Sequence, residues 1–260
     1  MIEPTELTDT VYPSLEGRVV FITGGASGIG SSIVQHFCAQ GSRVAFVDIM
    51  EDEGRELVQH VAGRGHAKPE FIPCDLRDIP ALQRAIREFG GRAGNIMVLV
   101  NNAANDQRHK IEDVTVEYWE DRMAVNLRHV FFATQEASKQ MIAAKAGSII
   151  NFGSVSWMSA MGGMPAYTAA KASIHGLTRG FARDFGSYGI RANTIVPGWV
   201  MTRRQRELWF DETGRKLRAM RQCIDGDVNP HDIARMALFL ASDDSKMCTA
   251  QNFIVDAGWT

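Results

Sequence analysis

Short apolar runs rich in β-branched residues alternate along the chain with longer stretches whose apolar residues recur at helical spacing. Arg18-Val19-Val20-Phe21-Ile22 predicts a strand ended by glycines, and after it Ile29, Ile33, Val34 and Phe37 fall on one helical face. Val44 to Val47 predicts a second strand, residues 51–62 a polar helix, Phe71-Ile72 the end of a third strand and residues 79–89 another helix. Further strands are expected at 96–100, 148–152, 191–196 and 253–255, with helices over 116–144, 165–186 and 232–241. Seven strands joined by helices imply a single-domain α/β fold. Its sheet is parallel and covered on both faces, because right-handed crossovers place helices above and below it.

No change in composition marks a linker, so residues 17–260 are read as one domain. Residues 1–16 are read as a short polar arm: Glu3, Pro4, Glu6, Asp9 and Pro13 stand where a signal peptide needs a basic start and an apolar run. With 45% hydrophobic and 22% charged residues, the 260-residue chain can bury a large core. Its net charge is −2, with Arg and Lys scattered among acids, which gives no electrostatic footprint for nucleic acid or an anionic membrane. Nowhere do apolar residues run for the ~20 positions of a spanning helix. Cys38, Cys74, Cys223 and Cys248 are far apart, without a Cys-x-x-Cys or a histidine at ligand spacing, so neither a metal site nor a disulfide framework is expected. The expected compartment is the cytoplasm.

Thr23-Gly24-Gly25-Ala26-Ser27-Gly28-Ile29-Gly30 follows a strand and opens a helix, where backbone amides and a helix N-terminus can hold a pyrophosphate. The glycine spacing departs from G-x-G-x-x-G, and by itself it also describes an ordinary turn. Two acids favour a dinucleotide. Asp48 closes the second strand eighteen residues after Gly30, where a carboxylate accepts from ribose hydroxyls and repels a 2′-phosphate, favouring NAD over NADP. Asp75, in Cys74-Asp75-Leu76, is placed either to meet the adenine amino group or to cap the helix starting near Asp78. Tyr167 and Lys171 stand four residues apart, about one helical turn, so phenol and ammonium share a face. An adjacent ammonium would lower the phenol pKa towards working pH and make Tyr167 a base, although the same spacing also describes a surface pair.

These segments, with Asn101-Asn102-Ala103-Ala104, Asn126, Ser154, Tyr167-Thr168-Ala169-Ala170-Lys171 and Pro197-Gly198-Trp199-Val200-Met201-Thr202, resemble in order and spacing the short-chain dehydrogenase/reductase family over nearly the whole chain. The resemblance implies a seven-stranded Rossmann fold with a Ser154–Tyr167–Lys171 centre supported by Asn126, whose other reading is a helix kink. It implies that Gly24, Ser27, Gly28, Ile29, Gly30, Asp48, Ile49, Asp75, Leu76, Asn102, Ala103, Ala104, Tyr167, Lys171, Pro197, Gly198, Val200 and Thr202 hold NAD. Ala104 stands where the family usually has glycine. It further implies a homotetramer.

The loop Asn105-Asp106-Gln107-Arg108-His109-Lys110 after the fourth strand is rich in groups that recognise hydroxyls. Ser156, Trp157 and Trp199 could add a polar contact and flat faces for a sugar ring; for the tryptophans core packing is the equal alternative. Asn105, Asp106, Ser154, Ser156, Trp157, Tyr167 and Trp199 are therefore the candidate substrate residues. His109 and His129 read as solvated or structural as readily as catalytic.

Asn105 to Lys110, Asn126-Leu127-Arg128-His129, Asn151 to Trp157 and Asp256-Ala257-Gly258-Trp259 resemble the bacterial NAD-dependent aldose 1-dehydrogenases of the D-xylose type. Residues 158–166 depart from that group. The resemblance thus implies oxidation of a free aldose at C1, a pentose such as D-xylose or L-arabinose or else a hexose, to its lactone. Two other classes stand beside it: an NADPH-dependent 3-oxoacyl-carrier-protein reductase, against which Asp48 counts, and a non-enzymatic dinucleotide sensor, which would be expected to have lost Ser154, Tyr167 or Lys171.

Overall fold

Strands β1 (Val19–Thr23), β2 (Arg43–Asp48), β3 (Glu70–Pro73), β4 (Val98–Asn101), β5 (Gly147–Phe152), β6 (Ile190–Pro197) and β7 (Asn252–Val255) form one sheet in the order β3-β2-β1-β4-β5-β6-β7. Every pairing is parallel. The computed structural model describes residues 7–8 and 10–260, and it contains the seven strands and both helical layers expected from the sequence. All residues of β1 and β4 are buried. A parallel sheet covered on both faces has no polar side, so these strands read as unbroken apolar runs.

On one face α1 (Gly28–Ala39), α2 (Glu51–Gly63) and α9 (Pro230–Ala241) pack Ile33, Val34, Phe37, Leu57, Ile233 and Leu238 over Val20 and Ile22. On the other, α3 (Ile79–Ala93), α5 (His129–Ala144) and α6 (Pro165–Phe185) pack Leu82, Ile86, Ala137, Met141 and Phe181 over Phe21, Leu99 and Ile149. Truncating a fully buried ring such as Phe37 costs about 3–5 kcal/mol. Strand order reverses between β1 and β4. Their carboxyl-end loops leave in opposite directions there, and the crevice between them is where such sheets bind ligands.

The structure departs from the sequence expectation in three places. The single helix expected over 116–144 is two, α4 (Val116–Met123) and α5, joined by a π-helical turn over Ala124–Arg128. Two short helices, α7 (Arg203–Leu208) and α8 (Glu212–Arg221), lie between β6 and α9 where the sequence predicts no element; Thr202 and Asp211 cap them by accepting from the amides of Gln205 and Gly214. The end of the expected polar arm is docked. Leu15 is fully buried, the Tyr12 amide donates to Gln40 Oε1 (2.8 Å), and Ser42 Oγ donates to the Leu15 carbonyl (2.7 Å). Residues 1–6 and 9 of that arm lie outside the described residues. Among the described residues no helix is long and apolar enough to cross a membrane.

Candidate active site

The chain leaves β1 through Gly24, at φ 69°, and enters α1 at Gly28, at φ 53°. A Cβ on Gly30 would lie 1.8 Å from the Gly24 carbonyl oxygen, so only glycine lets the first turn of α1 close on the preceding loop. Ser27, the N-cap, makes no side-chain capping bond, which leaves the first amide donors of α1 open towards a cavity of about 1100 Å³. Asn102 Nδ2 donates to the carbonyls of Thr23 (3.2 Å) and Gly24 (2.8 Å) and ties the loop after β4 to this turn. The cradle fits a dinucleotide pyrophosphate by its missing side chains and its helix N-terminus.

Asp48 lines the same cavity at the end of β2. Burial raises its carboxyl above the usual range, opposed by hydrogen bonds from the amides of Ala26 (3.0 Å) and Met50 (3.1 Å). Asp75 does not cap α3: Asp78 does, accepting from the Ala81 amide. The Asp75 carboxylate is instead forked onto the Arg77 guanidinium, whose hydrogen bonds hold it below the usual carboxylate range, and Arg77 also reaches Asp121 (3.1 Å). An adenine amino group would compete with Arg77 there. Ile49, Leu76, Ala103, Ala104, Pro197, Gly198, Val200 and Thr202 complete this wall.

The end of β5 carries Ser154, and the first two turns of α6 carry Tyr167 and Lys171 into the cavity. Lys171 is buried, with Nζ 5.9 Å from the Tyr167 ring centroid and donating to the Phe152 carbonyl (2.8 Å). Burial brings its pKa down to about 7. The phenol moves opposite to expectation: burial pushes Tyr167 up to about 12, opposed by its hydrogen bond with Ser154. The ammonium is turned to the Phe152 carbonyl, and desolvation dominates. Ser154 Oγ also accepts from the Ser156 amide (3.1 Å), which fixes the hydroxyl.

Asn126 is fully buried in the π-helical turn and is not part of the cavity wall. Its Oδ1 accepts from the Asn105 amide (2.7 Å) and its Nδ2 donates to the Arg122 carbonyl (3.0 Å), so it braces the loop after β4 from behind. His129 is buried with its pKa lowered to about 3 by desolvation, and is therefore neutral. His109 accepts from the Ala166 amide (3.3 Å) and contacts the Tyr118 hydroxyl (3.0 Å). No group of His, Cys, Asp and Glu among the described residues could hold a metal ion.

Of the candidate substrate residues, Asn105, Asp106, Ser154, Ser156, Tyr167 and Trp199 line the cavity. Trp157 does not: its indole Nε1 donates to His175 Nε2 (2.9 Å) on α6, which turns the ring away. Asp106 is already engaged, with Oδ2 accepting from Gln205 Nε2 (2.8 Å) and Oδ1 facing Arg204 (3.4 Å). Gln205 Oε1 in turn accepts from Trp199 Nε1 (3.0 Å), and Trp199 packs edge-to-face on Phe210 and Trp259. Ser156 is buried and its Oγ has no hydrogen-bond partner. Arg108, from the hydroxyl-recognising loop, and Trp259 also line this end, together with Gln205, Leu208, Trp209 and Leu217, which the sequence did not single out. The available signal was the capping pair Thr202 and Gln205 ahead of the apolar Leu208-Trp209 in a basic stretch.

The family profile described as Enoyl-(Acyl carrier protein) reductase matches residues 24–260. The chain is 42% identical to D-xylose 1-dehydrogenase of Caulobacter vibrioides strain NA1000 / CB15N, over 97% of this chain and 100% of that one. It is 43% identical to the Rhizobium meliloti protein named "Probable galactose dehydrogenase GalD", over 97% and 98%. The crystal structure of a gluconate 5-dehydrogenase from Burkholderia cenocepacia J2315, in complex with NADP and tartrate, superposes with a TM-score of 0.88 at 30% identity, over 95% of this chain and 97% of that one. With the glycine cradle at the β1–β4 crevice and the Ser154, Tyr167 and Lys171 side chains in one cavity, the chain belongs to the short-chain dehydrogenase/reductase family.

Proposed function

We propose that the protein oxidises a free aldose at C1 with NAD⁺, giving the aldonolactone, NADH and a proton. The observation that carries this reading is the polar set around Tyr167: Asn105, Asp106 and the unpartnered Ser156 hydroxyl line the same cavity as Ser154, Tyr167 and Lys171. A site whose polar groups converge on one cavity selects ligands that pair with them, and a sugar offers several adjacent hydroxyls. The sugar names of the two sequence relatives support the same substrate class.

The amides opening α1 would hold the pyrophosphate, Asp48 the adenosine ribose, and Lys171 the nicotinamide ribose. Pro197, Gly198, Val200 and Thr202 would face the carboxamide. When bound, the dinucleotide supplies the hydride acceptor. Tyr167 takes the proton of the C1 hydroxyl as base, and Ser154 holds the same oxygen as it becomes a carbonyl. Burial holds the Tyr167 phenol at about 12, and the positive charge that an oxidised nicotinamide would bring to this cavity would favour its base form. Asp48 supports NAD over NADP, since a 2′-phosphate would meet a carboxylate there.

A panel of pentoses and hexoses with NAD⁺ and NADP⁺, followed at the nicotinamide absorbance with product identification, tests the reading. Lactone or aldonic acid formed with NAD⁺ is expected. Activity confined to acetoacetyl thioesters with NADPH would overturn it, as would dinucleotide binding without turnover on either class. Exposed Val116, Trp119 and Phe131 on α4 and α5 support a homotetramer; light scattering at the 28.7 kDa of one chain would overturn that assembly.

A further inference from the structure

Arg108 is the guanidinium at the sugar end of the cavity that the reading above leaves without a task. Other arginines on that wall have acidic neighbours: Arg122 pairs with Asp121, Arg203 lies 3.9 Å from Glu207, and Arg204 faces Asp106. Among the described residues Arg108 pairs with no carboxylate. Its guanidinium carbon stands 5.2 Å from the centroid of the Trp209 ring, and Nη1 rests on the Met164 thioether. One support is a ring face and the other a weak thioether acceptor, so they hold the group in place while leaving most of its five donors open. Arg108, Asp106 and Tyr167 line the same cavity, so an acid and a cation share the space in which the phenol acts.

We propose that Arg108 is a specificity-determining residue that, together with Asp106, grips a vicinal diol of the sugar next to the carbon being oxidised. The proposal rests on the aldose reading and sharpens it. A hydroxyl both donates and accepts. One member of a vicinal pair accepts from Arg108 while the other donates to Asp106 Oδ1, an oxygen it shares with the longer Arg204 contact (3.4 Å), Oδ2 being kept by Gln205. A substrate carboxylate would satisfy Arg108 but would stand against Asp106. A thioester chain offers neither donor nor paired acceptors.

The test compares wild type, Arg108→Ala and Arg108→Lys on the best aldose and on its monodeoxy analogues, with the NAD⁺ dissociation constant measured in parallel as the check on folding. For Arg108→Ala a fall in kcat/KM of about 10- to 100-fold on the parent sugar is expected, mostly in KM, with NAD⁺ binding unchanged. On the analogue lacking the gripped hydroxyl, wild type should already show that loss and the variant should add little to it. Arg108→Lys should recover part of the activity, since an ammonium keeps the charge without the planar fork. Equal fold-losses on the parent and every deoxy analogue, or no loss at all, would overturn the role of Arg108 while leaving aldose oxidation standing. A wild-type preference for a uronic acid that disappears in Arg108→Ala would overturn the diol in favour of a carboxylate. A protein that oxidises no sugar overturns the aldose reading itself, and this proposal with it.

Discussion

The dinucleotide end of the cavity is built around a glycine turn with Asp48 at its edge, and the sugar end is built from long side chains. Gly24, Gly28 and Gly30 shape the first by what they lack, between strands buried throughout, and a Cβ on Gly30 would collide with the Gly24 carbonyl. The second is a set of polar and aromatic groups, Asp106, Arg108, Gln205 and Trp209, carried by the loop after β4, by α7 and by the residue that ends it. Backbone in a parallel sheet cannot be retuned without refolding, whereas a wall of side chains changes with single substitutions. One end therefore suits the part of the reaction common to many substrates, and the other suits the part that distinguishes them.

The largest expected effect lies where the two ends meet. Tyr167→Phe removes the proton acceptor but keeps the ring, so kcat should fall by about 10² to 10⁴ with NAD⁺ affinity retained, as single-turnover rates and a binding titration would show. Near-normal turnover would mean that neither end meets at Tyr167. The same residue sets the pH dependence. A phenol whose pKa lies above assay pH is mostly protonated, and its base form grows about tenfold per pH unit until the pKa is reached. With burial holding Tyr167 high, kcat/KM for oxidation should rise from neutral to alkaline pH; a profile falling over that interval would remove Tyr167 as the base.

Asp48→Ala probes the rigid end alone. The ratio of kcat/KM for NAD⁺ over NADP⁺ should drop by about tenfold, as expected for loss of a charge-assisted hydrogen bond. Sugar KM should hold. Gln205→Ala probes the other end and should do the converse. Losing the bonds to Asp106 and Trp199 should raise sugar KM by about 3- to 10-fold, with cofactor constants unchanged. A Gln205 variant that shifts NAD⁺ affinity as much as sugar KM would erase the contrast between the two ends.

The same contrast explains what the sequence made legible. Strands such as Val19–Thr23 announce themselves because burial on both faces forces an apolar run, and Tyr167 with Lys171 is recognisable because one helical turn fixes their spacing. Interactions between distant segments leave no local trace. Nothing near Trp157 says that its indole will meet His175, nor does the loop after β4 reveal that Asp106 is held by a glutamine ninety-nine residues away. The sequence does not announce α7 and α8 because they are exposed, basic and poor in apolar residues; their caps at Thr202 and Asp211 are the readable part. Leu15 reads as part of a polar arm because acidic and proline neighbours surround this one buried side chain.

The π-helical turn at Ala124–Arg128 has a consequence for how this chain tolerates change in length. Each residue added to a helix rotates everything beyond it by about 100°. A π turn is the footprint of one such extra residue absorbed locally, so that α4 and α5 both keep their apolar sides on the body of the protein. Removing one residue there would restore an ordinary α-helix on paper. It would also swing Asn126 off the Asn105 amide, freeing the loop that presents Asp106 and Arg108 while leaving the glycine cradle intact. Such a deletion would also turn Ala133, Ala137 and Met141 of α5 away from the sheet they pack on, so the register of this helix serves the core and the sugar-binding loop together.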